Sequence, residues 1–312
     1  MNWINAFELL CYAITVMFLW DVVRKKNREE LLLFISAALA GFALELLAVR
    51  VTDIYHYSPD FYISIGFRPY QFPFFGGLMW GGLTVYGLRI AKRLKLNVLM
   101  TALVTGWLIV TMDILLDVAA IRLNGGFWVW DGREITLDIT HHMFMSVIWV
   151  NFLGYMFETP AMVFISMKTA EKRRIMPLWK QLPAAVGIGV CGVAFVGAAS
   201  GLSLMLNAVT DEWFACIAFI LLWCFVFAVI VRRCFSMGIT ISPMRGWDVP
   251  VLIYWAVMYG FSIAALVSLR IASDVPLYFV FGILMFAGTI LLAVLKHEKQ
   301  DHIGMLFYDI KS

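Results

Sequence analysis

Apolar residues gather into nine runs, 3–23, 31–51, 70–90, 96–121, 141–168, 182–206, 212–232, 248–272 and 276–296, separated by short polar or basic segments. A bilayer core takes about 20 residues of helix, so each run is long enough to cross. The pattern predicts an all-α polytopic membrane protein, a bundle of about nine transmembrane helices. No basic residue precedes the first run and no small-residue cleavage site follows it. The reading therefore keeps that run in the membrane as a helix rather than removing it as a leader.

The charges between the runs set an orientation. When the segments are assigned alternately to two sides, 19 of the 24 Lys and Arg fall on one side, in connectors such as 24–28, 89–95, 168–180 and 232–245 and in the tail with Lys296, Lys299 and Lys311. The five on the other side are Arg50, Arg68, Arg122, Arg133 and Arg270. Cytoplasmic loops carry the excess of Lys and Arg. The split predicts the N-terminus outside, the C-terminus in the cytoplasm and residence in the cell (plasma or inner) membrane.

Composition narrows the class. Hydrophobic residues make up 62% and charged residues 14%, against roughly 45–50% and 25% in soluble domains. A soluble enzyme, a secreted disulfide scaffold and a disordered chain are excluded. The five cysteines, Cys11, Cys191, Cys216, Cys224 and Cys234, form no CxxC and lie in or beside apolar runs, which reads as buried structural thiols. Basic residues in short juxtamembrane clusters give nucleic-acid binding no support.

Two halves differ. Residues 1–176 hold five runs and the polar groups; residues 177–312 hold four runs with almost no ionisable group inside them, and the two are read as one integrated membrane domain. Gly192, Gly197 and Gly201 in the sixth run are spaced for close backbone contact. The apolar half reads as packing or as the wall of a channel for an apolar ligand.

An ionisable residue in the hydrocarbon is costly and points to function. Glu45 lies about 7 Å below the outer end of the second run, and Asp113 and Asp117 share a face of the fourth at about 12 and 6 Å. His141 and His142 open the fifth run, with Asn151 about 15 Å further down and Tyr155 and Glu158 continuing its face. Glu45, Asp113, Asp117, His141 and Asn151 are thus expected to form one polar layer. The alternative is a set of interhelical hydrogen bonds that hold the bundle. Carboxyls crowded away from water resist ionisation, so one of them would keep a proton at neutral pH and serve as an acid. Pro160, after Glu158 and Thr159, should kink the fifth helix.

The long segments 52–69 and 122–140 carry acids and the aromatics Tyr55, Tyr57, Trp128 and Trp130. These suit either a site or an interfacial aromatic belt. Asp113 and Asp117 have the DxxxD spacing of a Mg²⁺-diphosphate motif, yet the second such motif that an intramembrane prenyltransferase needs is absent. His141 and His142 point about 100° apart on a helix, which argues against a metal pair. No P-loop, Rossmann or GxSxG fingerprint stands in a usable context.

The order of these residues resembles a known family. Glu45 on a helix is followed by Tyr55-x-Tyr57, then Pro69 and Pro73 leading to a helix with Trp80; Asp117 precedes Trp128-x-Trp130, and Asn151-Phe152-Leu153-Gly154-Tyr155 comes next. Over about 41–158 this pattern is similar to the integral-membrane carotenoid-biosynthesis proteins that include the carotenoid 1,2-hydratases. Ser146-Val147-Ile148 stands where that family has Gly-Val-Pro.

The resemblance implies an intramembrane enzyme that adds water to a terminal C=C of a long isoprenoid or carotenoid by acid catalysis. Catalytic candidates are Glu45, Asp113, Asp117, His141 and Asn151, with Asp117 or Glu45 as acid and Asp113 or His141 holding water. Candidate substrate-binding residues are Tyr55, Tyr57, Trp80, Trp128, Trp130 and Tyr155, whose rings would stabilise a carbocation. No metal or other cofactor is implied, and the partners expected are a lipid-soluble polyene or isoprenoid and membrane lipids, with the oligomeric state open. Rival readings are a transporter or channel for a small solute or protons, which the lack of an internal repeat disfavours, and a scaffold whose outer loops bind a partner, which the buried acids disfavour.

Overall fold

The computed structural model describes residues 2–52, 55–130 and 134–296. Arg133, Lys299 and Lys311, which entered the charge count, lie outside the described residues. Ten α-helices form among the described residues: α1 (Trp3–Arg24), α2 (Arg28–Thr52), α3 (Phe74–Lys92), α4 (Val98–Ala120), α5 (Trp149–Ile175), α6 (Leu178–Val209), α7 (Trp213–Met237), α8 (Val249–Ser268), the single turn α9 (Ile271–Asp274) and α10 (Pro276–Val294). The nine long ones answer to the nine apolar runs. Side-chain caps fix two starts: Asn2 accepts the Asn5 N–H at 2.8 Å and Asn97 the Met100 N–H at 2.9 Å.

Seven of these helices (α1, α2, α4, α6, α7, α8 and α10) are long and apolar enough to cross a membrane. The chain is a multi-pass helical membrane protein. α3 and α5 fall short of that measure for visible reasons. α3 spends five positions on glycine and ends in Arg89 and Lys92; α5 carries Asn151, Glu158 and Pro160 and ends in Lys172, Arg173 and Arg174.

Burial explains how such helices are tolerated. α4 is buried without a break from Val104 to Ala120, and α3, α5 and α8 pack against it. Acids on α4 and α5 therefore meet protein rather than lipid. α6 and α7 instead expose large apolar side chains such as Val190, Phe195, Leu221 and Phe225, the surface that hydrocarbon covers.

Two expectations about helices need correction. The fifth helix begins at Trp149, not at 141. Met145 and Ser146 take φ of 48° and 67°, a tight turn that no helix passes through, and β5 (Met143–Phe144) pairs with β6 (Val147–Ile148) around it. His141 and His142 lie in a bend before that hairpin, and Asn151 sits in the first turn of α5 rather than near the midplane. The expected glycine contacts on α6 also shift. Close approach occurs at Gly189 against the Ser36 carbonyl and at Gly192 against Met162, while Gly197 and Gly201 face open space.

Ion pairs fasten the end of the bundle away from the long loops. Arg89 on α3 binds Glu30 of α2 at 2.5 Å, Asp21 of α1 at 2.7 Å and Asp248 before α8 at 3.0 Å. Arg173 on α5 binds Glu29 at 2.6 Å.

Candidate active site

The long loops meet each other over the opposite end. β1 (Tyr55–Tyr57) and β4 (Trp128–Trp130) pair antiparallel, with Tyr55 opposite Trp130 and Tyr57 opposite Trp128. Side chains alternate faces along a strand, so the Tyr-x-Tyr and Trp-x-Trp spacings put all four rings on one face. The ring centroids stand 5.1 Å apart for Tyr55 and Trp130 and 6.1 Å for Tyr57 and Trp128.

That face covers a half-enclosed cavity of about 100 Å³. Glu45 from α2, Asp113 from α4 and Asn151 and Tyr155 from α5 line it, together with Trp80 of α3 and the four loop aromatics. Trp80 packs on Tyr155 with centroids 4.9 Å apart. Sequence reasoning passed over Phe61, Phe72, Met112 and Met258, which are also in the lining. Only their apolar character marked them, and apolar residues fill the whole chain. Met258 brings α8, from the apolar half, to the cavity wall.

The polar groups divide in two. Glu45 is half-buried, and its Oε2 accepts both phenol hydroxyls, from Tyr57 at 2.7 Å and Tyr55 at 3.0 Å. Burial first, and the Glu45 charge second, push both phenols above the usual tyrosine range. They remain donors at any ordinary pH. The second group lies on α4 and α5. Asp117, 1% exposed, accepts the Asn151 side-chain amide at 2.8 Å. Asp113 stands one turn earlier on α4, and its Oδ2 is buried without a hydrogen-bond partner.

Of the expected polar layer, Glu45, Asp113, Asp117 and Asn151 come together, with Asp117 standing behind Asp113 rather than in the lining. His141 does not join them. Its ring stacks on Trp213 at 4.5 Å, and its Nε2 is 3.8 Å from Asp211; the turn at Met145 and Ser146 carries it away from α5. His142 contacts Glu212 at 2.9 Å. Glu158 is buried two turns below Asn151, its Oε1 without a hydrogen-bond partner. Glu8 on α1, an acid inside the first apolar run, was passed over although the rule that marked Glu45 marks it too. It is fully buried and accepts the backbone N–H groups of Tyr62 and Ile63.

Fold and site together define a polytopic helical membrane protein with a carboxyl-bearing, aromatic-walled cavity beneath paired loops. A family model described as carotenoid biosynthesis protein matches residues 5–225, more than half of the 312-residue chain. The chain belongs to that family, and its role lies in carotenoid metabolism. The match extends beyond the 41–158 stretch that carries the motif order and takes in α1, α6 and half of α7. Searches of curated proteins and of solved structures returned no match.

Proposed function

We propose that the protein adds water to a terminal carbon–carbon double bond of a long isoprenoid or carotenoid by acid catalysis. The observation that carries this reading is Asp113, a buried carboxyl that stands one helical turn from Asp117 and lines a cavity walled by aromatic rings. A cavity of about 100 Å³ takes the end of a chain and leaves the rest of a polyene in the lipid.

The chemistry follows from the two polar groups. Asp113 gives its proton to the terminal alkene, a C–H bond forms, and the π bond breaks to leave a tertiary carbocation. Asp117, held by Asn151 and itself protonated throughout, donates a hydrogen bond to the new Asp113 carboxylate. The faces of Trp128, Trp130, Tyr55 and Tyr57 stabilise the cation, an interaction worth about 0.5–2 kcal/mol per ring. Water attacks the cation as Glu45 takes its proton. Both phenols bind Oε2 of Glu45, which leaves Oε1 for that water. The proton then passes from Glu45 back to Asp113, so one water is consumed and no net charge moves.

The test is to supply membranes containing the protein with acyclic polyenes and to look by chromatography for a tertiary alcohol. Failure of the folded protein to convert any member of such a panel contradicts the proposal.

A further inference from the structure

Glu8 is a buried acid that the proposed chemistry does not use. Its two carboxylate oxygens accept consecutive backbone N–H groups, Tyr62 at 2.6 Å and Ile63 at 2.9 Å, and the Tyr12 hydroxyl at 3.2 Å. Only an acceptor with several lone pairs satisfies three donors at once. Three residues earlier on the same helix face the loop gains a second tie, since Asn5 donates to the Asp60 carbonyl at 2.8 Å.

The tied segment lies over the cavity. Phe61, next to Tyr62, and Phe72 and Pro73, across the hairpin, all line it. β2 (Ser64–Ile65) pairs with β3 (Phe72–Pro73), and the Phe74 N–H bonds the Ile63 carbonyl at 2.9 Å. Fixing Tyr62 and Ile63 therefore fixes both sides of the hairpin. Phe7, beside Glu8, is part of the same wall. The hairpin's other side is apolar and exposed: Tyr62, Ile63, Ile65 and Phe67 face outward beside Arg68. Aromatic and aliphatic residues with an arginine suit the membrane–water interface.

We propose that Glu8 is a positioning residue that holds the 58–73 segment as a roof, closing the cavity on the loop side so that an apolar substrate reaches the carboxyls from the bilayer. The direction of substrate entry rests on the hydratase reading; the roof does not.

The experiment reads the roof without turnover. In full-length protein with the native cysteines replaced by alanine, Met79→Cys places one thiol in the cavity wall on α3, where Met79 is 5% exposed. A bulky membrane-impermeant maleimide should label it slowly. Adding Glu8→Ala, which removes both acceptors, should speed labelling about tenfold or more. Glu8→Gln, which keeps one oxygen and the side chain's shape, should give an intermediate rate with little change in the thermal midpoint. If Glu8→Ala does not fold, Glu8→Gln alone decides. Separately, Glu8→Gln should raise KM for an acyclic polyene more than it lowers kcat. Loss of turnover in every form with faster labelling in the variants keeps the roof and removes the hydratase. Equal labelling rates in folded parent and folded Glu8→Gln overturn the proposal.

Discussion

Asn151 donates its side-chain amide to Asp117 Oδ2 at 2.8 Å, joining the first turn of α5 to the last turn of α4 beside the cavity. If Asp117 serves only this bond, asparagine should replace it cheaply, since interhelical hydrogen bonds in membranes average about 0.6 kcal/mol. If it backs the proton that Asp113 delivers, asparagine keeps the shape and loses the chemistry. Asp117→Asn is expected to fold with a near-normal melting curve and to lose about 10²–10⁴-fold in turnover. Asp113→Asn should lose at least as much. Near-normal turnover in a folded Asp117→Asn protein removes the pair from the acid role.

The phenols on Glu45 make a pH statement. Burial and the Glu45 charge raise both above the ordinary tyrosine value of about 10. A raised folded-state pKa favours the neutral phenol in the fold, so this stability is fully present below about pH 10 and is lost as pH rises beyond it. The thermal midpoint should hold through about pH 9 and fall above about pH 10. In Tyr55→Phe and Tyr57→Phe that alkaline fall should be shallower, while turnover at neutral pH drops about tenfold, the order expected for one hydrogen bond to a charged group. An unchanged alkaline slope in both variants contradicts the assignment.

Trp128 lies across the strand pair from Tyr57 and in the cavity wall. Trp128→Leu keeps an apolar wall and removes the π face. A cation–π contribution of about 1 kcal/mol corresponds to roughly a fivefold loss in kcat, with KM changing less. Comparing kcat and KM with Trp128→Phe, which retains a ring and should keep most of the rate, checks this.

Topology is testable apart from chemistry. Reporter fusions after Lys26, Lys95, Arg174 and Arg233 should all report cytoplasm if nine helices cross with the N-terminus outside. Because α3 and α5 are not apolar enough by themselves to count as spans, the Lys95 and Arg174 fusions are the informative ones. Two or more reporting the outside would refute the arrangement.

The nine long helices were legible because hydrocarbon demands long apolar runs, and Glu45, Asp113, Asp117 and Asn151 were legible because a strongly polar group in such a run is conspicuous. The pairing of Tyr55–Tyr57 with Trp128–Trp130 was not. It joins segments about 70 residues apart through a backbone ladder, and single-sequence spacing does not report on partners at that range. His141 was misplaced because apolar residues around it extended the fifth run, whereas the backbone turns at Met145 and Ser146, neither of them a glycine. Glu8 was overlooked because its partners are backbone N–H groups, which every sequence has everywhere.

If the protein is a hydratase, the hydrogen and the hydroxyl added to the alkene both come from water, the hydrogen through a carboxyl. The most direct measurement is mass spectrometry of the product formed without oxygen gas from an acyclic polyene, in H₂¹⁸O and separately in D₂O. A hydratase puts one ¹⁸O in the product, and in D₂O one deuterium on carbon that does not wash out, with both products lost in Asp113→Asn. Product that carries no ¹⁸O, that forms only with oxygen gas, or that forms equally well in Asp113→Asn would contradict it.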